Sequence, residues 1–303
     1  MRIIDTIKSE KVTLSFEVFP PKTSDKFENT LQAAEKIAGL NPSYISVTYG
    51  AGGGRSLFTA ELAQKINLQT GVPVLAHLTC VSSTRGIVAG MLREYRERGI
   101  ENVLALRGDS PEDGSIEHDY RYAYELVEEI RKEGGFCIGG ACYPEGHIEC
   151  EHKADDIAHL KQKVDAGCDF LTTQMFFDNN IFYNFLYRAK DAGINVPIIP
   201  GIMPITTAKQ LSRSVAMSGT NVPERFRAIV DRFGPDPKAM RQAGIVYASE
   251  QIIDLIANGV RHIHVYSMNK PKVAADILAN LTGIVDLSDQ ETAGPGRCGF
   301  RQR

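Results

Sequence analysis

Thr13-Leu14-Ser15-Phe16-Glu17-Val18-Phe19, running into Pro20-Pro21-Lys22, is the stretch on which the fold turns. Its β-branched and aromatic residues read as a strand. Alternation places Leu14, Phe16 and Val18 on one side and Ser15, Glu17 and Phe19 on the other. The first side is wholly apolar and predicts a covering layer of helices. Glu17 then points the opposite way, into whatever the strand encloses. Neither proline can donate a backbone hydrogen bond, so together they end the strand sharply.

Similar runs begin near positions 44 (YISVTYG), 73 (PVLAHLT), 102 (NVLALRGD), 136 (FCIGGACYP), 170 (FLTTQMFFD), 197 (PIIPGIMP) and 261 (RHIHVYSM), eight in all. The first seven are spaced 27 to 34 residues apart, the length of one strand-helix unit. Most are nearly continuous apolar runs, as expected of parallel strands buried on both faces. Between them the apolar period is helical. Residues 27–39 align Leu31, Ala34 and Ile37; residues 119–133 align Tyr122, Leu126 and Ile130; residues 153–166 align Ile157, Leu160 and Val164. A further helix covers 180–192, and several of these helices end at a glycine. The pattern predicts an α/β fold, a (β/α)8 TIM barrel, with an open doubly wound sheet as the alternative. The gap between the seventh and eighth runs is too long for one helix and predicts extra helices, including 223–233 and 238–258. Residues 1–285 read as a single catalytic domain and 286–303 as a disordered tail.

The chain is 43% hydrophobic and 23% charged, with a net charge of −3 and a pI near 6.2, which points away from nucleic-acid and membrane partners. The start of the chain shows no signal-peptide core, and no apolar run is long enough to span a bilayer. The six cysteines form no CxxC pair, and Cys137, Cys142 and Cys150 lack zinc spacing. Reduced thiols, a cytoplasmic location and no bound metal are the expectation.

In such a barrel, chemistry gathers at the C-terminal strand ends. Here those ends carry Glu17, the glycine-rich Thr48-Tyr49-Gly50-Ala51-Gly52-Gly53-Gly54, His77, Arg107-Gly108-Asp109, Tyr143 to His147, Gln174, Met203-Pro204 and Tyr266 to Lys270. The polar enrichment favours an enzyme. Burial would make Glu17 a general acid near neutral pH; an ion pair with a basic residue across the barrel is the alternative. The glycine loop matches neither GxGxxG nor GxxxxGK[ST]; it brings backbone close to a ligand or simply makes a tight turn. Arg107 and Asp109 bind a polar heterocycle or phosphate, or pair with each other. His77 is a ligand contact or a satisfied core histidine. Asp156, His159 and Lys163 share a helix stripe that either holds phosphate and ribose or faces solvent.

The ordered set SFEVFPPK, VTYGAGG, AHLTC, LALRGD, ACYPEGH, TTQMFFD, GIMP and HVYSMN, spread over residues 1–284, resembles the bacterial flavin-dependent methylenetetrahydrofolate reductases. The resemblance implies a barrel that holds FAD without a Rossmann domain. NADH or NADPH reduces the flavin and leaves; 5,10-methylenetetrahydrofolate then takes hydride from flavin N5 and becomes 5-methyltetrahydrofolate. It gives Glu17 the role of general acid toward folate N10. Asp109 would tune the flavin and stabilise the cationic iminium. Gln174 would serve folate and nicotinamide, and Gln210 and Lys270 would contact folate. Thr48, Tyr49, Ala51, His77, Arg107, Gly108, Asp109, Ala123, Tyr143, His147, Asp156, His159 and Lys163 fall at flavin positions. One departure is Ser214, which stands where well-known members carry a stacking aromatic. The long C-terminal regulatory region of eukaryotic relatives is not present, so inhibition by S-adenosylmethionine is not expected. A homo-oligomer is the expectation for assembly. The alternatives are a flavin- or folate-binding subunit that works with a redox partner, and a non-flavin barrel lyase or synthase. The choice between NADH and NADPH stays open.

Overall fold

β1 (Thr13–Val18) is an interior strand of the sheet, paired on its two sides with β2 (Ile45–Val47) and β9 (His262–Val265). The computed structural model describes residues 1–9, 11–49, 58–81, 83–108, 119–150 and 152–285, so the expected tail at 286–303 lies outside the described residues. The other strands are β3 (Val74–Thr79), β4 (Asn102–Leu106), β5 (Cys137–Cys142), β6 (Phe170–Thr173), β7 (Ile198–Ile199) and β8 (Gly201–Ile202). Every pairing is parallel, in the order β7-β6-β5-β4-β3-β2-β1-β9-β8.

The seventh predicted strand appears as two pieces because Pro200 interrupts it. Its first half pairs with β6 and its second half with β9, which closes the ring. Carried once round the ring from Glu17, the register returns eight residues lower on the same strand. Eight strand positions with that stagger are a TIM barrel, not an open sheet.

The helices follow the expected rhythm: α2 (Phe27–Ala38), α3 (Thr59–Thr70), α4 (Arg85–Glu97), α5 (Ala123–Glu133), α6 (Lys153–Asp165) and α7 (Asn179–Asp191). The long gap holds α8 (Ala208–Ser218), α9 (Glu224–Phe233) and α10 (Pro237–Ala257), and α11 (Pro271–Ala279) follows β9. The starts are chemically marked: Thr207 caps α8, and Asp236 with Pro237 begins α10. Leu14, Phe16 and Val18 lie in the layer between strands and helices, as alternation required.

The interior is a separate core. At its lower end α1 (Ile3–Ile7) presses Ile3, Ile4 and Ile7 against Tyr44, Leu75, Leu104, Cys137, Phe170 and Ile199. Each isoleucine contributes roughly 1.5–3 kcal/mol by leaving water. Asn102 fastens this plug, accepting from the Ile3 amide at 2.8 Å and donating to the Val74 carbonyl at 3.1 Å. Gly139 makes room for the filling, because a Cβ there would sit 2.7 Å from the Phe170 ring. A third core, under α8 to α10, joins Met175 and Phe177 to Phe226, Met240 and Tyr247.

Candidate active site

The register sorts the inward residues into heights. Tyr44 and Phe170 lie low, next to the α1 plug. Ser46, Leu104, Thr172 and His264 form one level, and Glu17, His77, Ala141 and Gly201 form the next level up. Continued one step beyond the strands, the same register brings Thr48, Leu106, Gln174 and Tyr266 to the mouth. Backbone bonds past the strand ends support this: the amides of Thr48, Gln174 and Tyr266 donate to the carbonyls of Val18, Cys142 and Ile202. The interior therefore changes from apolar to polar on moving from the plug to the mouth.

Glu17 is only 7% exposed, and burial lifts its pKa from the ordinary carboxyl range to about 8. No lysine or arginine pairs with it among the described residues, so the expected rival, an ion pair across the barrel, is absent there. Its neighbour is His77, whose Nε2 lies 3.7 Å from Glu17 Oε2. Burial, with His264 nearby, pulls the His77 pKa down to about 3. Both groups are therefore neutral at pH 7. His77 Nε2 and Thr48 Oγ1 are buried without a hydrogen-bond partner among the described residues. In the level below, His264 reaches Ser15 Oγ at 2.8 Å and Ser46 Oγ at 3.3 Å, while Thr172 Oγ1 is buried without a partner among the described residues. Above, Tyr266 donates to the Thr173 carbonyl at 2.6 Å, across the space left by Gly201.

The rim beside β4 and β5 is cationic. Arg107 grips Glu149 with both terminal nitrogens, at 2.6 and 2.8 Å, while its Nε donates to the Gly108 carbonyl at 3.3 Å. That bond holds the Glu149 carboxyl below its usual range. Asp109 and Ala51 lie outside the described residues. Gly108 adopts φ 86°, a left-handed conformation that glycine accepts at little cost. Tyr143 and His147 meet edge to face at 4.6 Å, and Asp156 accepts from the His147 amide. Lys163 turns inward from α6 to the Ala141 carbonyl at 2.7 Å, and burial lowers its pKa. His159, by contrast, stays exposed, near the Tyr122 ring. The stripe on α6 is thus divided: Asp156 and Lys163 turn toward the barrel rim and His159 toward solvent. Ala123 begins α5 beneath the same rim.

A family model described as methylenetetrahydrofolate reductase matches residues 2–282. The chain belongs to that family. It is 36% identical over 98% of its length to methylenetetrahydrofolate reductase (NADH) 1 of Arabidopsis thaliana, covering 53% of that protein, so it spans about half of that plant relative. It is 34% identical to 5,10-methylenetetrahydrofolate reductase of Escherichia coli K12, covering 89% of this chain and 91% of the relative. Among solved structures, an uncharacterised Clostridium thermocellum protein that binds two copies of 5-methyl-5,6,7,8-tetrahydrofolic acid superposes with a TM-score of 0.66. It is 18% identical and aligned over 93% of this chain and 98% of the other, a likeness of fold.

Of the residues expected to meet folate in this reductase-family barrel, Gln210 and Lys270 meet at Thr206, while Gln174 stands apart at the end of β6. Gln210 accepts from the Thr206 amide at 3.0 Å and donates to the Pro204 carbonyl at 3.2 Å; Lys270 Nζ donates to Thr206 Oγ1 at 3.2 Å. Gln174 turns its Oε1 to the Met175 amide at 3.0 Å. Ser214 lies on α8 with its hydroxyl 3.4 Å from Met203 Sδ, so a thioether lies beside the position where an aromatic was absent. Among the described residues no cluster of three His, Cys, Asp or Glu can hold a metal, and no helix is long and apolar enough to cross a membrane.

Proposed function

We propose that this chain reduces 5,10-methylenetetrahydrofolate to 5-methyltetrahydrofolate, with FAD as cofactor and NADH or NADPH as electron donor. The observation that carries the reading is Glu17, a carboxyl held protonated near neutral pH at the active end of a barrel of this family.

The residues present suit FAD. The buried Thr48 Oγ1 has no partner among the described residues, His77 borders the same site with its ring, and Arg107 and Lys163 supply positive charge for a diphosphate. Tyr49, Gly108, Ala123, Tyr143, His147, Asp156 and His159 complete the proposed cradle, with Ala51 and Asp109 from outside the described residues. Bound FAD supplies two-electron hydride chemistry between nicotinamide and folate. The chain supplies position and a proton. Glu17 protonates folate N10, which leaves the one-carbon unit as an iminium on N5. Asp109 balances that cation, Gln174 orients the pterin, and Gln210 and Lys270 hold the remainder of the folate.

The test is a pair of anaerobic half-reactions on the flavin-loaded protein. NADH or NADPH is expected to bleach the flavin, and 5,10-methylenetetrahydrofolate to restore its colour. Bleaching without recovery sinks the reading. Recovery of chemically reduced flavin without bleaching by either nucleotide supports a second reading, a subunit fed by a redox partner, which Ser214 on α8 favours.

A further inference from the structure

We propose that His77 is the positioning partner of Glu17: its Nε2 accepts the Glu17 proton and keeps the acid aimed into the barrel mouth until substrate takes that proton. The proposal rests on the reductase reading.

At the height of Glu17 the barrel offers three other inward residues, and two of them, Ala141 and Gly201, have no polar side-chain atom. His77 is the third. The titratable groups facing Glu17 among the described residues are Tyr44 from beside β2, His77 from β3, and His264 and Tyr266 from β9 and its end. Tyr266 is committed to the Thr173 carbonyl, and His264 to Ser15 and Ser46. Two of these groups are left without a partner, Tyr44 Oη and His77 Nε2; Tyr44 sits low beside the α1 plug, whereas His77 shares the height of Glu17 and its Nε2 is 3.7 Å from Glu17 Oε2. The strand behind it is pinned, since the buried Tyr95 hydroxyl donates to the His77 carbonyl at 2.8 Å. The separation is too long for a hydrogen bond as it stands. The soft terminal torsion of a glutamate lets the carboxyl close it, and catalytic hydrogen bonds commonly tighten when substrate is bound.

The proton stays on oxygen, because an ion pair would need a charged imidazole where burial opposes it. Accepting from the neutral carboxyl stabilises the acid form and so adds to the effect of burial. Removing the acceptor must then lower the pH at which Glu17 loses its proton.

The experiment follows folate reoxidation of chemically reduced flavin against pH in the natural protein, His77→Leu and His77→Gln. His77→Leu is expected to move the alkaline limb down by about 0.4–1 pH unit, the worth of one hydrogen bond, and His77→Gln, which keeps an acceptor, to restore most of it. An infrared titration of the protonated carboxyl band, without substrate, is expected to shift in the same direction. FAD affinity is measured in parallel by fluorescence. An unmoved limb and band, with weaker FAD binding, makes His77 a cofactor contact only and overturns the proposal. An upward shift overturns it too, because Nε2 then donates. If the natural protein fails to reoxidise its flavin with folate, the reductase reading fails, while the infrared titration still decides the pairing.

Discussion

Replacing Glu17 with glutamine predicts a stability change whose size depends on pH. In the unfolded chain the Glu17 carboxyl titrates near 4.5; in the folded barrel it titrates near 8. Between those values the folded state keeps a proton that the unfolded state has released. Stability is therefore full below pH 4.5, falls as pH rises, and stops falling above pH 8. With each pH unit worth about 1.36 kcal/mol, Glu17 costs on the order of 3 kcal/mol more at pH 8 than at pH 5. Glutamine has the same shape and no proton to lose, so Glu17→Gln escapes this cost.

Urea unfolding of the cofactor-free natural protein and of Glu17→Gln, each at pH 5 and pH 8, isolates the effect. Any pH-independent cost of the amide cancels in the double difference. The variant is expected to gain on the natural protein by about 3 kcal/mol between the two pH values. The same variant is expected to let NADH or NADPH reduce bound flavin while slowing folate reduction by about 10²–10⁴-fold. A double difference near zero means Glu17 ionises in the fold as it does in water. That result refutes the assignment of Glu17 as an acid held ready near neutral pH.

Three further substitutions probe the frame around the site. Gly244→Ala would place a Cβ 1.6 Å from the Ile205 carbonyl oxygen, so α10 must move off the rim; thermal unfolding is expected to show a loss of about 3 kcal/mol or more. Thr48→Val removes a hydroxyl with no partner among the described residues, so the cofactor-free protein should keep its stability. FAD titrated by fluorescence should nevertheless bind about 2- to 12-fold more weakly, and equal affinity would exclude Thr48 from the cradle. Tyr266→Phe strands the Thr173 carbonyl beside Gly201, at a cost of about 1–3 kcal/mol in denaturant unfolding; no loss would mean water replaces the hydroxyl there.

The sequence made some of this legible and hid the rest for physical reasons. Strand parity is local, so Glu17 could be turned inward from seven residues alone. Its height could not be read, because height depends on the stagger accumulated round the ring. His77 lies two strands along, and only the register shows that it faces Glu17. Arg107 had an obvious candidate partner two residues away in Asp109, which lies outside the described residues; no local pattern pointed to Glu149, which a loop brings back from the end of β5 to both terminal nitrogens. Lys163 looked like part of a solvated stripe. It turns in because β5 is small there: a Cβ on Gly140 would meet Lys163 Cδ at 3.2 Å. The plug α1 did leave a signal, in Ile3, Ile4 and Ile7 at helical spacing, but five residues are too few to mark a helix without the barrel floor they fill.

These placements share one logic. An acid that must carry its proton at pH 7 needs low polarity around it, and low polarity in a barrel mouth is hard to secure because the mouth faces water. The fold answers from below and from the side. The isoleucine plug and the Phe170 ring exclude water from the floor, and Ser15, His264 and Ser46 satisfy one another, so the level beneath Glu17 presents it no charged group. At its own level, Ala141 and Gly201 present no charge, and Tyr266 fills the Gly201 side while spending its hydroxyl on a backbone carbonyl. The cations remain on the β4–β5 rim and on the Gln210–Lys270 rim, where Arg107 is held by Glu149, Lys163 by the Ala141 carbonyl and Lys270 by Thr206. An unpaired cation placed within about 4–6 Å of Glu17 would lower its pKa by about 1–3 units and erase most of the shift. Keeping positive charge on the rims and neutral groups in the centre is thus what lets one barrel carry cationic rims and still hold a protonated carboxyl between them.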